Sequence, residues 1–192
     1  MRIIAGEAKG RTLYAPAGAQ TRPTSDKIRG SMFNILGADV QGARVLDLFG
    51  GTGALALEAL SRGAASAVIA DSSRQAIQVI ERNARSVLKD EFDARVRILK
   101  ADYRAALTQL AGQAFDLVFL DPPYRMLEAY GDALARLRAA GGLARECVVV
   151  LERQRAARVP LPDFLAVTDT RCYGDTAVDF VTQRDPQSTM DT

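Results

Sequence analysis

The fold class is indicated most clearly by the segment Val45-Leu46-Asp47-Leu48-Phe49-Gly50-Gly51-Thr52-Gly53-Ala54-Leu55. Its first four residues predict a short buried strand, its glycines a tight turn, and the residues from Ala54 onward a helix. A strand, a glycine turn and a helix N-terminus in this order form the usual crevice for a nucleotide-like cofactor in a doubly wound sheet. The chain downstream repeats the strand–helix rhythm that begins here.

The alternation after this stretch predicts an α/β fold. Strands are expected near residues 44–48, 67–71, 95–99, 115–120 and 146–151, and helices near 53–62, 73–89, 103–110 and 127–139. Short, nearly all-apolar strands separated by helices predict a doubly wound, mostly parallel sheet that is covered on both faces. Two last strand-like runs, 164–171 and 176–182, are joined by only four residues and must form an antiparallel hairpin.

The first 40 residues differ from the rest of the chain. Residues 2–5 and 11–14 alternate around two glycines and predict a small β-hairpin, and a helix capped by Thr24 or Ser25 follows. Residues 1–44 hold seven Lys and Arg against three Asp and Glu, which points modestly to a polyanionic partner. We predict a substrate-facing extension at 1–40, a catalytic domain at 41–183 and a disordered tail at 184–192.

Composition narrows the function classes. The chain of 192 residues is 48% hydrophobic and 25% charged, which suits one soluble domain. It contains no histidine, so triad hydrolases and zinc enzymes are disfavoured and no metal site is expected. No apolar run approaches the roughly 20 residues of a membrane span, and the N-terminus lacks the apolar core of a signal peptide. The expectation is a cytoplasmic protein without a membrane partner.

The glycine turn alone leaves two cofactor classes open. Residues 51–56 fit the G-x-G-x-x-A pattern of dinucleotide-dependent dehydrogenases. Three carboxylates at predicted strand ends, Asp47, Asp102 and Asp121, suit a cationic ligand and would crowd a pyrophosphate. S-Adenosylmethionine carries a sulfonium and an ammonium and no phosphate, so it fits better. Asp71 is placed for ribose hydroxyls and Asp102 for an adenine amine, although either could simply cap a helix.

The segment Asp121-Pro122-Pro123-Tyr124 follows the fourth predicted strand and suggests the chemistry. As structure alone, two prolines end a strand. As chemistry, the Asp121 carboxylate and the Pro122 carbonyl can accept both hydrogens of an exocyclic amine and aim its lone pair at a methyl donor. Tyr124 offers a face for stacking a base pulled out of its helix.

Together with Asp-x-Phe-Gly-Gly-Thr-Gly at 47–53, this motif resembles the amino-methylating class I methyltransferases. Segments 22–29 (Arg-Pro-Thr-Ser-Asp-Lys-Ile-Arg), 33–36 (Phe-Asn-Ile-Leu) and 173–176 (Tyr-Gly-Asp-Thr) are similar to the RsmD family, over about residues 1–182. The resemblance implies a Rossmann-like, seven-stranded fold with an antiparallel C-terminal hairpin. It also implies a monomer that methylates N2 of guanine 966 of 16S rRNA in the assembled or assembling small subunit and releases S-adenosylhomocysteine.

The resemblance also assigns residues to roles. The catalytic motif comprises Asp121, Pro122, Pro123 and Tyr124. The expected cofactor-binding residues are Asp47, Phe49, Gly50, Gly51, Gly53, Asp71, Asp102 and Tyr103. The expected substrate-binding residues are Arg22, Pro23, Thr24, Lys27 and Arg29. The chain departs from the family at Asp71, where Glu is usual, and at Ser73, where an acid is usual.

The sequence is also compatible with other functions. A DNA adenine-N6 methyltransferase uses the same four-residue motif, but it usually needs a larger target-recognition region. Protein glutamine methylation generally shows Asn where Asp121 stands. A non-catalytic RNA-binding or nucleotide-binding protein on a methyltransferase fold, and a dehydrogenase, complete the alternatives.

Overall fold

A computed structural model of the chain describes residues 1–15 and 25–184. The strands are β1 (Arg44–Asp47), β2 (Ser66–Asp71), β3 (Val96–Lys100), β4 (Phe115–Leu120), β5 (Leu143–Gln154), β6 (Leu165–Tyr173) and β7 (Thr176–Gln183). The α-helices are α1 (Asp26–Leu36), α2 (Ala54–Ser61), α3 (Arg74–Leu88), α4 (Phe92–Arg95), α5 (Tyr103–Gln109) and α6 (Glu128–Ala139). Arg22, Pro23 and Thr24 lie outside the described residues.

The seven strands form one sheet in the order β3-β2-β1-β4-β5-β7-β6. Neighbours from β3 to β5 are parallel, whereas β7 pairs antiparallel with both β5 and β6. The predicted doubly wound sheet with a C-terminal hairpin is therefore confirmed. Because β1 and β4 are neighbours, the strand order reverses between them, and the carboxyl ends of these two strands meet at the usual binding crevice of such sheets.

Alternate residues of the central strands pack against opposite helix layers, as the period of a strand requires. Val45 and Leu117 belong to the core beneath α1, α2 and α3. Leu46 and Val118 belong to the core beneath α5 and α6. Both faces of the sheet are thus covered, which explains why the strands read as nearly continuous apolar runs.

The N-terminal segment doubles back on itself, but the predicted hairpin is reduced to one isolated bridge between Arg2 and Thr12. The amide of Leu13 donates to the Met1 carbonyl at 3.0 Å. On the first arm of the segment, the amides of Ile4 and Ala5 donate to the Glu58 carboxylate on α2. Beyond this bridge the segment is held by hydrogen bonds to α2 instead of by regular strand pairing.

Three further differences from the sequence prediction are local. The short helix α4 was not predicted, and it follows Lys89, whose φ of 52° ends α3. Strand β5 begins at Leu143 because its first residue pairs with Phe115 before a register shift. The amide of Arg184, the first residue of the predicted disordered tail, donates to the Phe164 carbonyl. Residues 185–192 lie outside the described part, in which no helix is long and apolar enough to cross a lipid bilayer.

Candidate active site

The glycine loop between β1 and α2 is shaped by close backbone approach and by left-handed conformations. A Cβ on Gly50 would lie 2.5 Å from Cγ2 of Ile69 and 2.9 Å from Cδ1 of Ile80. Gly51 and Gly53 have φ of 55° and 78°, which favour glycine. Gly53 precedes α2 and has no side chain to cap this helix. The amide of Ala56 in the first turn donates to the Asp47 carboxylate instead.

Side chains on both flanks hold this loop in place. The Asp71 carboxylate accepts from the amide of Gly51 at 2.9 Å and from the amide of Ser73 at 2.8 Å. On the other flank, the Asn83 side-chain amide donates to the Thr52 carbonyl at 2.9 Å. Asp71 therefore orders the loop, and its partial exposure leaves it accessible at the end of β2. Its predicted contact with ribose hydroxyls stays a prediction.

Asp47 lies at the end of β1 and is almost fully buried, at 2% exposure. Its pKa is raised from 3.8 to about 7, mainly by burial and also by the negative charge of nearby Asp71, whereas hydrogen bonds from the amides of Phe49 and Ala56 lower it. A buried carboxyl with a raised pKa is stabilised in its charged form by a cation. The chemistry of Asp47 thus fits an ammonium group, which S-adenosylmethionine carries.

Asp121 lies directly after β4 at the same edge of the sheet. Burial, then the negative charges of Glu152 and Asp47, raise its pKa well above the ordinary value. Leu120 on β4 pairs with Leu151 on the adjacent parallel strand β5. Asp121 and Glu152 are the next residues along these two strands and therefore lie side by side. Glu152 was missed, although an acid after the apolar run 148–151 gives the same signal as Asp47 and Asp121.

The remainder of the motif offers a carbonyl without a hydrogen-bond donor among the described residues and an exposed aromatic ring. Pro122 is buried, and the carbonyl of Pro123 accepts from the amide of Met126 at 2.8 Å. Within the described residues no hydrogen-bond donor reaches the Pro122 carbonyl. Tyr124 is 40% exposed. The geometry leaves the Pro122 carbonyl free to accept a hydrogen bond from a substrate.

Tyr130 on α6 lies beneath the motif and was also missed, since its spacing is that of an ordinary core residue. It is buried, and its hydroxyl donates to the Glu152 backbone carbonyl at 2.5 Å. Burial and the charges of Asp121 and Glu152 raise the pKa of Tyr130. It therefore stays neutral and supports the ends of β4 and β5.

Phe49 and Tyr103 come together beside the glycine loop, with ring centroids 5.7 Å apart. Burial raises the pKa of Tyr103, whose hydroxyl donates to Asp132 at 2.8 Å. Asp102 is exposed and caps α5, where it accepts from the amide of Ala105 at 2.9 Å. Capping is thus the observed role of Asp102, and its contact with adenine stays a prediction.

The predicted phosphate contacts on α1 divide in two. Lys27 is exposed and available. Arg29 is fully buried, donates to the Arg2 carbonyl and to Asp26, and lies 3.6 Å from the Glu58 carboxylate. Its guanidinium is enclosed by the protein, so the prediction that Arg29 contacts RNA phosphates was wrong.

Known proteins resemble this chain over most of its length. A family model described as conserved hypothetical protein 95 matches residues 1–182. The Bacillus subtilis protein YlbH is 36% identical over 181 residues, which cover 93% of this chain and 96% of YlbH. The Escherichia coli protein named ribosomal RNA small subunit methyltransferase D is 36% identical over 156 residues, which cover 80% of this chain and 75% of that protein.

Solved structures give the same result. The Escherichia coli protein yhhF superposes with a TM-score of 0.82 at 31% identity, over 95% of this chain and 97% of that chain. The methyltransferase-fold protein SMU.776, solved as a complex with SAH, has a TM-score of 0.66 at 14% identity and shows the fold alone. It matches 81% of this chain and 48% of its own. The match to residues 1–182 and the two relatives at 36% identity show that the chain belongs to the RsmD family of methyltransferases.

Proposed function

We propose that the chain transfers a methyl group from S-adenosylmethionine to the exocyclic N2 amine of a guanine in 16S rRNA. The relative named ribosomal RNA small subunit methyltransferase D supports the substrate class. The N2 position and the choice of guanine 966 rest on the family resemblance. We also infer that the protein works as a monomer in the cytoplasm, on RNA within the assembled or assembling small ribosomal subunit.

The observation that carries this function is the pair of acceptors just after β4. The Asp121 carboxyl has a raised pKa because it is buried near Glu152 and Asp47. The Pro122 carbonyl next to it accepts no hydrogen bond from any described residue. Both lie at the carboxyl edge of the sheet, where β1 also delivers the glycine loop and Asp47.

The residues at this edge fit S-adenosylmethionine. Asp47 would pair with its ammonium group and Asp71 with its ribose hydroxyls. Phe49 and Tyr103 would pack against its adenine ring, near Asp102. When bound, the cofactor supplies an electrophilic methyl group on a sulfonium sulfur. The carboxylates also disfavour a dinucleotide, whose pyrophosphate would be repelled by them.

The chain's own groups then have a defined task. An exocyclic amine donates its lone pair into the ring of the base and is a poor nucleophile. Hydrogen bonds from its two N–H groups to Asp121 and to the Pro122 carbonyl fix the orientation of the amine, reduce the conjugation of its lone pair with the ring and aim that lone pair at the methyl donor. As that lone pair forms the new N–C bond, the bond between the methyl carbon and the donor sulfur would break and leave its electron pair on the sulfur of S-adenosylhomocysteine. One N–H proton would then pass to the Asp121 carboxylate, whose raised pKa makes it a better base. Tyr124 stacks on the flipped base, and the step needs no metal.

The test is transfer of radiolabelled methyl groups to three substrates, namely small subunits lacking the modification, protein-free 16S rRNA and duplex DNA. Label is expected on guanine N2 of the subunit RNA. Asp121→Asn should lower the rate by about 100-fold or more, because it removes the proton acceptor. Asp116→Asn is the matched control, since Asp116 lies on the same strand but pairs with Arg44 at the opposite end.

Each other result would change the conclusion. Label on DNA adenine would overturn the RNA substrate and keep the catalytic motif. No label on any substrate, despite binding of S-adenosylhomocysteine, would show a non-catalytic RNA-binding protein. Binding of NADH in place of S-adenosylhomocysteine would show a dehydrogenase.

A further inference from the structure

We propose that Tyr14 and Arg82 form a second nucleotide-binding platform beside the cofactor loop, on which an unpaired base of the RNA substrate stacks. The platform deepens the proposed function and rests on its RNA substrate. Neither residue belongs to the catalytic motif or to the expected substrate-binding residues. Four observations support the platform: the fixed backbone of Tyr14, its exposed ring, the stacked guanidinium and the local excess of positive charge.

The backbone of Tyr14 is fixed by one buried side chain on α3. The Asn83 side-chain oxygen accepts from the Tyr14 amide at 2.8 Å, and its nitrogen donates to the Tyr14 carbonyl at 3.0 Å. The same nitrogen donates to the carbonyl of Thr52 in the glycine loop at 2.9 Å. Asn83 is fully buried, so these bonds are shielded from water. Tyr14 is therefore held rigidly next to the loop that is expected to bind the methyl donor.

The ring of Tyr14 is nevertheless 43% exposed. Four large hydrophobic side chains in the described residues are exposed, and Tyr124 of the catalytic motif is another of them. Within the described part the Tyr14 hydroxyl makes no hydrogen bond. A rigid aromatic ring with an open surface and an unused hydroxyl is a suitable stacking surface for a base.

Arg82 completes the platform. Its guanidinium carbon lies 3.4 Å from the centroid of the Tyr14 ring, so it stacks on one face and leaves the remainder of the ring to solvent. Among the residues described, Arg82 has no carboxylate partner, whereas Arg85, one turn further along α3, pairs with Glu81 at 3.0 Å. A stacked guanidinium without a carboxylate can bind a phosphate while the ring binds the adjoining base.

The surrounding charge favours the same ligand. Residues 1–14 also expose Arg2, Lys9 and Arg11 against Glu7, and Arg2 lies 4.0 Å from Asp26, so Lys9 and Arg11 supply the excess positive charge. An aromatic ring within a cationic surface is the usual composition of sites for single-stranded RNA. A peptide partner would need acceptors or an apolar groove, and the described surface here offers mainly cations and one ring. The chemistry thus favours a nucleotide of the substrate that flanks the target base.

The experiment compares Tyr14→Ala, Tyr14→Phe, Arg82→Gln and the control Arg85→Gln on small subunits lacking the modification. KM and kcat for RNA, the Kd for S-adenosylhomocysteine and the Tm are measured for each. Loss of one stacked base predicts that Tyr14→Ala raises the KM for RNA about 5- to 100-fold. Tyr14→Phe keeps the ring and should restore the affinity to within about threefold. Arg82→Gln should lower the slope of log affinity against log salt by about 0.7 to 0.9, as expected for one lost phosphate contact, and Arg85→Gln should not.

Two outcomes overturn the platform while the proposed function stands. In the first, the wild-type protein methylates the RNA and Tyr14→Ala has an unchanged KM. In the second, Tyr14→Ala raises both the KM for RNA and the Kd for S-adenosylhomocysteine and also lowers the Tm. Tyr14 would then be a structural support of the glycine loop. If the wild-type protein transfers no methyl group, the proposed function fails, and binding of a fluorescein-labelled single-stranded oligouridylate then decides. Weaker binding by Tyr14→Ala would still support the platform, and equal binding would overturn it.

Discussion

Glu58 attaches the N-terminal segment to α2, and replacing it should lower the free energy of unfolding strongly. Its carboxylate is fully buried on α2 and accepts from the amides of Ile4 at 2.8 Å and Ala5 at 3.1 Å. It also pairs with Arg62 at 2.7 Å and lies 3.6 Å from Arg29. Glu58→Ala removes every one of these contacts at once.

The expected loss of unfolding free energy follows from the burial of the Glu58 carboxylate. Hydrogen bonds to a charged group contribute about 1.5 to 3 kcal/mol each. Removing one partner of a buried ion pair costs about 3 to 5 kcal/mol. Because the same carboxylate makes all the contacts, the terms overlap, and we expect Glu58→Ala to lose about 4 kcal/mol. For a chain of this size, the Tm should then fall by about 8 to 16 °C, at about 2 to 4 °C for each kcal/mol.

Glu81→Ala is the matched control. Glu81 and Arg85 form an i,i+4 pair on α3, with the same spacing as Glu58 and Arg62. The side chains of Glu81 and Arg85, however, are both about half exposed. An exposed pair of this kind contributes about 0.5 kcal/mol or less. Glu58→Gln keeps the size and one acceptor oxygen, so it should fall between the wild-type protein and Glu58→Ala.

Thermal and urea unfolding followed by circular dichroism measure the loss. Hydrogen exchange at the amides of Ile4 and Ala5 shows whether the N-terminal segment detaches before the sheet unfolds. A loss below about 1 kcal/mol for Glu58→Ala, or an equal loss for Glu81→Ala, would show that the buried pair contributes no more stability than the exposed one.

Three further predictions concern single residues. The folded pKa of Asp47, about 7, exceeds its ordinary 3.8, so the folded state binds the proton more tightly and stability falls as pH rises through this window. The urea midpoint of the wild-type protein should therefore fall between pH 4 and pH 7, relative to the midpoint of Asp47→Asn. Calorimetry in two buffers should detect proton release when S-adenosylhomocysteine binds to the wild-type protein, and none when it binds to Asp47→Asn. Gly50→Ala should abolish cofactor binding in the same calorimeter, since its Cβ would lie 2.5 Å from Ile69. Gly30→Ala should raise the unfolding free energy by about 0.5 to 1 kcal/mol, measured by urea titration, because its Cβ would only touch Ile4 at 3.6 Å.

Elements with local signals were predictable from the sequence. Ser25, Ser73 and Asp102 cap α1, α3 and α5, and each was visible as a polar residue before an apolar-periodic run. The central strands could be located because their apolar runs end at a charged residue, which is Asp47, Asp71, Lys100 or Asp121. The sheet edge that carries Asp47 and Asp121 followed from the rule that parallel strands end on the same side.

Features that depend on distant contacts were not predictable. The Ile4 amide bonds to a side chain 54 residues away, so nothing near residue 4 shows why regular strand pairing stops there. Arg29 reads as one more surface cation in the sequence, yet Asp26, Glu58 and the Arg2 carbonyl enclose it. Charge counting cannot separate a buried arginine from an exposed one, because the difference lies in tertiary partners.

Three buried polar residues on α2 and α3 mark where the N-terminal segment docks. Glu58 and Ser61 on α2 and Asn83 on α3 each bond to backbone groups of that segment. Burying such groups is unfavourable unless they are hydrogen-bonded. Each of these side chains therefore stabilises the docked segment, and loss of the segment would leave each side chain without these hydrogen bonds.

Asn83 differs from Glu58 because it also bonds to Thr52 in the glycine loop. Asn83→Ala should therefore weaken binding of both S-adenosylhomocysteine and RNA, whereas Tyr14→Ala should weaken binding of RNA alone. Loss of one bond to the loop predicts a rise in the cofactor Kd of about 2- to 10-fold for Asn83→Ala, from about 0.5 to 1.5 kcal/mol per hydrogen bond. Calorimetric titration of both variants checks this difference. An unchanged cofactor Kd in Asn83→Ala would mean that Asp71 holds the loop alone, through its bond to the Gly51 amide.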